Sequence, residues 1–134
     1  ADESFDVVLN LESAHCYSDF PAFLAESARV LAKDGTFCFA DLWDLEIIPV
    51  EWPAREEALA TCALKIISRE DISEQVFQAL NRSDSICEEL RRLSAPENRN
   101  LLERVIRGAE AFRASLASGC CSYYLWKMRK DGSS

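Results

Sequence analysis

FDVVLNLESAHCYSDFPAFLAESARVLAKDGTFCFADL, running from Phe5 to Leu42, decides the fold. Phe5-Asp6-Val7-Val8-Leu9-Asn10-Leu11 is a near-continuous apolar run. Such a run suits a strand buried on both faces, as in a parallel sheet. Glu12-Ser13-Ala14-His15-Cys16-Tyr17 follows at once. In open α/β sheets, ligands sit in the crevice outside the carboxyl ends of the strands. Asn10, Glu12 and the only histidine of the chain fall there.

The next segment reads as a helix. Ser18 or Asp19 can cap its start, and Pro21 fits a first turn, where a missing N–H does little harm. Phe20, Phe23, Leu24, Ser27, Val30 and Leu31 recur at helical spacing and give one apolar face. Lys33-Asp34-Gly35 ends the helix, with Gly35 suited to a left-handed cap. Thr36 to Leu42 is a second buried strand with Asp41 near its end. Two buried strands joined by such a helix make a right-handed βαβ unit.

Beyond Leu42 the chain turns amphipathic. Trp43 to Pro53 reads as a loop rich in large apolar groups, among them Leu45, Ile47, Ile48 and Trp52. Pro53 opens a helix to about Cys62, with Arg55, Glu56 and Glu57 on its wet side. Residues 63–68 suggest a short strand. Asp71-Ile72-Ser73-Glu74 and Ser85-Ile86-Cys87-Glu88 read as capping boxes for two helices. The second of these aligns Ile86, Leu90 and Leu93 and is broken by Pro96. Asn98 to Ala117 forms a long helix, stopped by Ser118-Gly119. Cys120 to Arg129 is a strand apolar on both faces, followed by a short tail.

The segment from Phe5 to Leu42 resembles the fourth-to-fifth-strand region of class I S-adenosylmethionine-dependent methyltransferases. It is most similar to the small-molecule group that includes phthiotriolone, sterol and tocopherol methyltransferases. The shared features are a Glu12-Ser13 pair after the strand, then His15, a strand ending in Asp41, and the helix end Arg29-Val30-Leu31-Ala32-Lys33-Asp34-Gly35. Asp34 stands where that group has the first of two glycines. The resemblance implies the C-terminal half of a Rossmann-like sheet with local strand order 4-5-7-6 and the last strand antiparallel. Residues 1–134 would form one partial domain, with 1–42 and 118–130 as sheet core and about 71–117 as a helical lid over the active site. It further implies S-adenosylmethionine as cofactor, lying against Asn10, Leu11 and Glu12. The Gly-rich turn that binds most of that cofactor in the family has no counterpart here, since the four glycines never cluster. A half of a longer enzyme and a self-contained small α/β domain are the two accounts of this.

Composition narrows the partners. The chain has 134 residues and a formal charge of −8, with no Lys/Arg cluster. Phosphate contacts dominate nucleic-acid affinity, so RNA and DNA partners are disfavoured. No apolar run approaches the ~20 residues of a membrane span. The six cysteines include no CxxC pair and read as small packed hydrophobes, reduced and cytoplasmic. Paired thiolates or histidines at zinc spacing are lacking, so no metal is expected.

The candidate site residues each carry two readings. His15 is either a loop residue beside a helix start or a general base that takes a proton during methyl transfer. Glu12 is a second catalytic candidate: it can orient His15, hold a cationic substrate or cap the following helix. Tyr17, Trp43 and Trp52 serve either as core or as the substrate box, and Asp41 either turns the strand end or joins the site. The function so read is methyl transfer to a small-molecule acceptor. The alternative is a non-catalytic fragment or degenerate homologue acting as a binding or dimerisation module. Either way a first strand without its usual neighbour leaves a bare apolar edge, so a homo-oligomer or a separately supplied N-terminal half is expected.

Overall fold

A computed structural model describes residues 1–44 and 50–130. Leu45, Ile47 and Ile48 of the expected loop, and residues 131–134 of the tail, lie outside the described residues. The elements are β1 (Phe5–Leu11), α1 (Phe20–Val30), β2 (Leu31–Trp43), α2 (Trp52–Thr61), β3 (Leu64–Asp71), α3 (Ser73–Asn81), α4 (Asp84–Leu93), α5 (Arg99–Ser118) and β4 (Ser122–Lys130). Short 3-10 turns occupy Ala14–Cys16 and Pro96–Asn98.

The strands form one sheet in the order β1-β2-β4-β3. β1 runs parallel to β2, while β4 runs antiparallel to both β2 and β3. This is the order expected from the sequence, with β1, β2, β4 and β3 in the places of strands 4, 5, 7 and 6. The crossover from β1 to β2 passes through α1 on one face. Asp19 caps that helix, accepting the Ala22 N–H at 2.8 Å, an interaction worth about 1 kcal/mol.

The main core lies between the sheet and the α1–α2 layer. Phe37, Phe39, Trp126 and Met128 project from the sheet and are fully buried against Phe20, Leu24, Ala28 and Leu59 of the helices. Phe39 stacks on Trp126 with ring centroids 4.6 Å apart, and Trp43 tilts against Trp126 at 4.8 Å. The other face carries a smaller core. Ala40, Leu42 and Tyr123 meet Leu116 and Phe112 of α5 and Val76 and Phe77 of α3.

Several expectations need correction. β1 is not buried on both faces: Phe5, Val7, Leu9 and Leu11 are all exposed, because no element covers their side or their free edge among the described residues. Gly35 is not the left-handed residue. The left-handed residue is Asp34, with φ 62°, but it lies inside β2; α1 ends at Val30, with Leu31 extended. Gly35 is needed for close approach instead, since a Cβ there would sit 2.8 Å from the Ala32 carbonyl oxygen and from Leu31 Cγ. Ser85 lies inside α4 and caps nothing; the preceding Ser83 spends its hydroxyl on the Leu80 carbonyl at 2.6 Å. The Ile86, Leu90 and Leu93 face of α4 is exposed, as are Leu101 and Val105 of α5. The α5 apolar stripe is thus covered in part, at Ile106 and at Leu116 near the C-terminal end, where Gly119 stops the helix with φ 73°. Arg55 is buried, not on the wet side of α2.

Candidate functional site

The carboxyl ends of β1 and β2 lie side by side, with Leu11 paired to Ala40. The start of antiparallel β4 reaches the same end, since Asp41 pairs with Tyr124 and Leu42 with Tyr123. Residues leaving β1, ending β2 and entering β4 therefore converge.

His15 sits on the 3-10 turn just past β1 and is bound to Asp41 twice. Its backbone N–H donates to Asp41 Oδ2 at 3.0 Å, and its ring Nδ1 lies 2.7 Å from Asp41 Oδ1. The Asp41 carboxylate is 1% exposed and also accepts the Leu42 N–H at 2.8 Å. A carboxylate can only accept, so Nδ1 is the donor, and in the neutral ring Nε2 carries the lone pair. The imidazole itself is partly exposed. A histidine oriented through one nitrogen, with the other free and reachable, is the geometry of a general base.

Glu12 does not orient His15. Its carboxylate accepts the Tyr123 hydroxyl, and its N–H donates to the Ala40 carbonyl at 2.9 Å. Its backbone is left-handed, with φ 55°. Such strain in a non-glycine residue costs on the order of 1–3 kcal/mol and tends to mark functional turns. Tyr123 is buried, and that burial, followed by the Glu12 hydrogen bond and the charges of Glu12 and Asp41, pushes its phenol well above the ordinary value. It remains a proton donor to Glu12.

Asn10 Nδ2 donates to the Tyr17 hydroxyl at 2.9 Å, and Ser13 Oγ lies 3.1 Å from the same oxygen. Asn10 Oδ1 is buried without a partner among the described residues. Leu11 is exposed. Trp43 is 1% exposed and packed among Phe20, Phe39, Trp52 and Trp126, so it offers a ligand no free surface. Trp52 is half-buried against it. A cavity of about 460 Å³ opens beside His15, walled by Tyr17, Phe20, Pro21, Val50 and Ala54.

The structure thus brings Asn10, Glu12, His15 and Tyr17 to one elbow and leaves Trp43 behind it. Sequence reasoning gave Asp41 only an open reading and missed Tyr123 and Arg55. Asp41 had a usable signal: in a parallel pair, the last residues of neighbouring strands share one crevice. Tyr123 had none short of the β4 register. Among the described residues no group of three His, Cys, Asp or Glu side chains could hold a metal ion, and no helix is long and apolar enough to cross a membrane.

Known proteins resemble this chain in sequence or in fold. Residues 1–39 match a family model described as a methyltransferase domain. A phthiotriol/phenolphthiotriol dimycocerosates methyltransferase of Mycobacterium tuberculosis is 35% identical over 132 residues, covering 97% of this chain and 47% of the relative. A fatty-acid O-methyltransferase of Mycolicibacterium smegmatis is 40% identical over 82 residues, 61% of this chain and 28% of that protein. The chain spans about half the length of the curated methyltransferase it matches end to end. A cyclopropane synthase from Mycobacterium tuberculosis superposes with a TM-score of 0.77 at 15% identity, over 97% of this chain and 57% of that one. Geranyl diphosphate C-methyltransferase from Streptomyces coelicolor, solved with S-adenosyl-L-homocysteine, gives 0.65 at 18% identity, over 96% and 47%.

Proposed function

From a chain that matches the class I S-adenosylmethionine-dependent methyltransferases in sequence and fold, we propose that it forms part of an enzyme that methylates a hydroxyl group on a small, lipid-like acceptor. The observation that carries this reading is the His15–Asp41 pair at the strand ends. S-adenosylmethionine supplies an electrophilic methyl group that an acceptor oxygen displaces from sulfur. His15 Nε2 removes the hydroxyl proton as the oxygen–carbon bond forms, and Asp41 balances the positive charge that results on the ring. The names of the relatives, a phthiotriol methyltransferase and a fatty-acid O-methyltransferase, support an oxygen on an apolar acceptor.

Asn10, Leu11 and Glu12 are the residues of this chain proposed to hold the cofactor. The unpartnered buried Asn10 Oδ1 and the exposed Leu11 fit a ligand lying along the end of β1. Tyr17 and Trp52 flank the acceptor side, with Trp43 as their support from the core. Helices α3 to α5 act as the lid, and their bare apolar faces suit an apolar acceptor or the remaining half of the enzyme. The chain works in the cytoplasm, paired with that other half or with a second copy across β1. The exposed β1 edge also favours a second reading, a non-catalytic module that uses this edge for pairing.

The test is His15→Gln in the full-length protein, followed by product mass and cofactor calorimetry. Turnover is expected to fall by about two to four orders of magnitude with cofactor affinity retained. An unchanged rate removes His15 from the chemistry. A full-length protein that does not bind S-adenosylmethionine at all supports the pairing module.

A further inference from the structure

Arg55 is the one charged side chain of α2 turned into the core, at 6% exposure. Its Nη1 donates to the Ala14 carbonyl at 2.8 Å and its Nη2 to the Tyr17 carbonyl at 2.9 Å. Those two carbonyls bracket the 3-10 turn Ala14–Cys16, which carries His15. The guanidinium lies over the ring of Phe20, the first residue of α1, 4.4 Å from its centroid. No carboxylate pairs with it among the described residues. A buried cation is expensive, and an apolar residue would fill α2 at less cost. Its two-pronged grip is the part an apolar residue cannot copy.

We propose that Arg55 is a positioning residue for His15: by gripping both ends of the turn it fixes the backbone from which the His15 N–H and ring both reach Asp41. The argument rests on the reading of His15 as the base. The turn is also held by the His15–Asp41 bonds, the buried Ala14 and the Tyr17 hydroxyl contacts, none of which fixes its two carbonyls. Its own backbone bonds are Cys16 N–H to Ser13 O and Tyr17 N–H to Ala14 O, both 3.0 Å. Arg55 adds a side-chain donor to the Ala14 carbonyl, which already accepts the Tyr17 N–H, and another to the Tyr17 carbonyl. Arg55 also ties α2 to the elbow. Burial lowers the Arg55 pKa, and the nearby Asp41 charge opposes that without bonding to the guanidinium.

The experiment compares Arg55→Lys and Arg55→Met with His15→Gln in the full-length protein. Folding is followed by circular dichroism, the His15 ring by nitrogen-15 NMR assigned through its loss in His15→Gln, and turnover by product mass. Lysine keeps the charge and the stem but cannot grip two carbonyls in one plane. Both Arg55 variants are expected to lose the dominant Nδ1–H tautomer and about 10- to 100-fold in kcat, with KM for S-adenosylmethionine within about threefold. A folded Arg55 variant with an unaltered His15 signal and kcat overturns the proposal. So does the failure of both variants to fold, which would make Arg55 a residue of the core alone. If His15→Gln retains full turnover, the base reading fails, while the His15 signal in the Arg55 variants still reads the grip.

Discussion

In β2, Phe37 and Phe39 are fully buried, whereas in β1, Phe5, Val7, Leu9 and Leu11 are each more than half exposed. The two strands lie side by side, paired from Val7–Thr36 to Leu11–Ala40. Both are short apolar runs, and in isolation both promise burial on two faces. Their surroundings differ. β2 has a strand on each side, and α1 and α2 roof one of its faces. β1 has one neighbour, and only Val8 and Asn10 point toward the α1 layer. An apolar run therefore reports what a strand is built to tolerate; its cover must come from neighbours elsewhere in sequence.

The sharpest way to break this comparison is to truncate one side chain in each strand. Phe39→Ala removes a ring stacked on Trp126 and wedged against Phe20 and Trp43. It should cost about 3–5 kcal/mol in urea unfolding of the 134-residue chain. Leu9→Ala, at 65% exposure, should stay within about 0.5 kcal/mol. Comparable losses at the two positions would mean that β1 finds cover in solution.

That possibility leads to a second measurement. A bare, apolar strand edge is a template for pairing with another chain. Light scattering on the 134-residue chain should show association at high concentration. Leu9→Lys should weaken it by at least about tenfold, or about 1.4 kcal/mol. A well-behaved monomer at high concentration would refute the pairing of β1 with a second copy.

Sequence legibility follows the same divide. The strands, the α1 cap at Asp19 and the order β1-β2-β4-β3 were readable because apolar periodicity, a capping side chain and the family resemblance agreed. The stop after α1 was misplaced: Lys33, Asp34 and Gly35 lie inside β2, because α1 ends at Val30. Asp34 can adopt the left-handed conformation through its short polar side chain, which left Gly35 for a close contact no local pattern announces. At the site, Asn10, Glu12 and His15 were legible because they crowd one strand end. The partner of His15 was not, because Asp41 is 26 residues away and meets it only through the β1–β2 register. Arg55 was misread because Arg55-Glu56-Glu57 looks like a solvated face. Only the spacing of Trp52, Arg55 and Leu59 along α2 hinted that an arginine had been turned inward.

The finest probe of covered against bare sheet uses two cysteines. Cys121, at the entry to β4, is 3% exposed in the small core under α5, while Cys38 is half-buried on the same face of β2 beside Leu9. Burial, with the neighbouring Cys120 charge second, pushes the Cys121 thiol up from 9.0 to about 11. The thiolate is the nucleophile, so at pH 8 about one Cys121 in a thousand is reactive at any instant. Iodoacetamide should therefore label Cys38 well before Cys121. The same shift predicts alkaline behaviour. Below about pH 9 both folded and unfolded chains keep the Cys121 proton, and stability is unaffected. Between pH 9 and about 11 the unfolded chain loses the proton first, so stability falls as pH rises. The loss attributable to Cys121 should reach about 1 kcal/mol at pH 10, and Cys121→Ala should remove that part of the pH slope. Tyr123, pushed up in the same direction, adds a loss of the same sign above pH 10, its ordinary phenol value. Cys121 labelling as fast as Cys38 at pH 8, or a Cys121→Ala slope equal to wild type between pH 9 and 10, would show that the α5 side of the sheet is no better covered than the face beside β1.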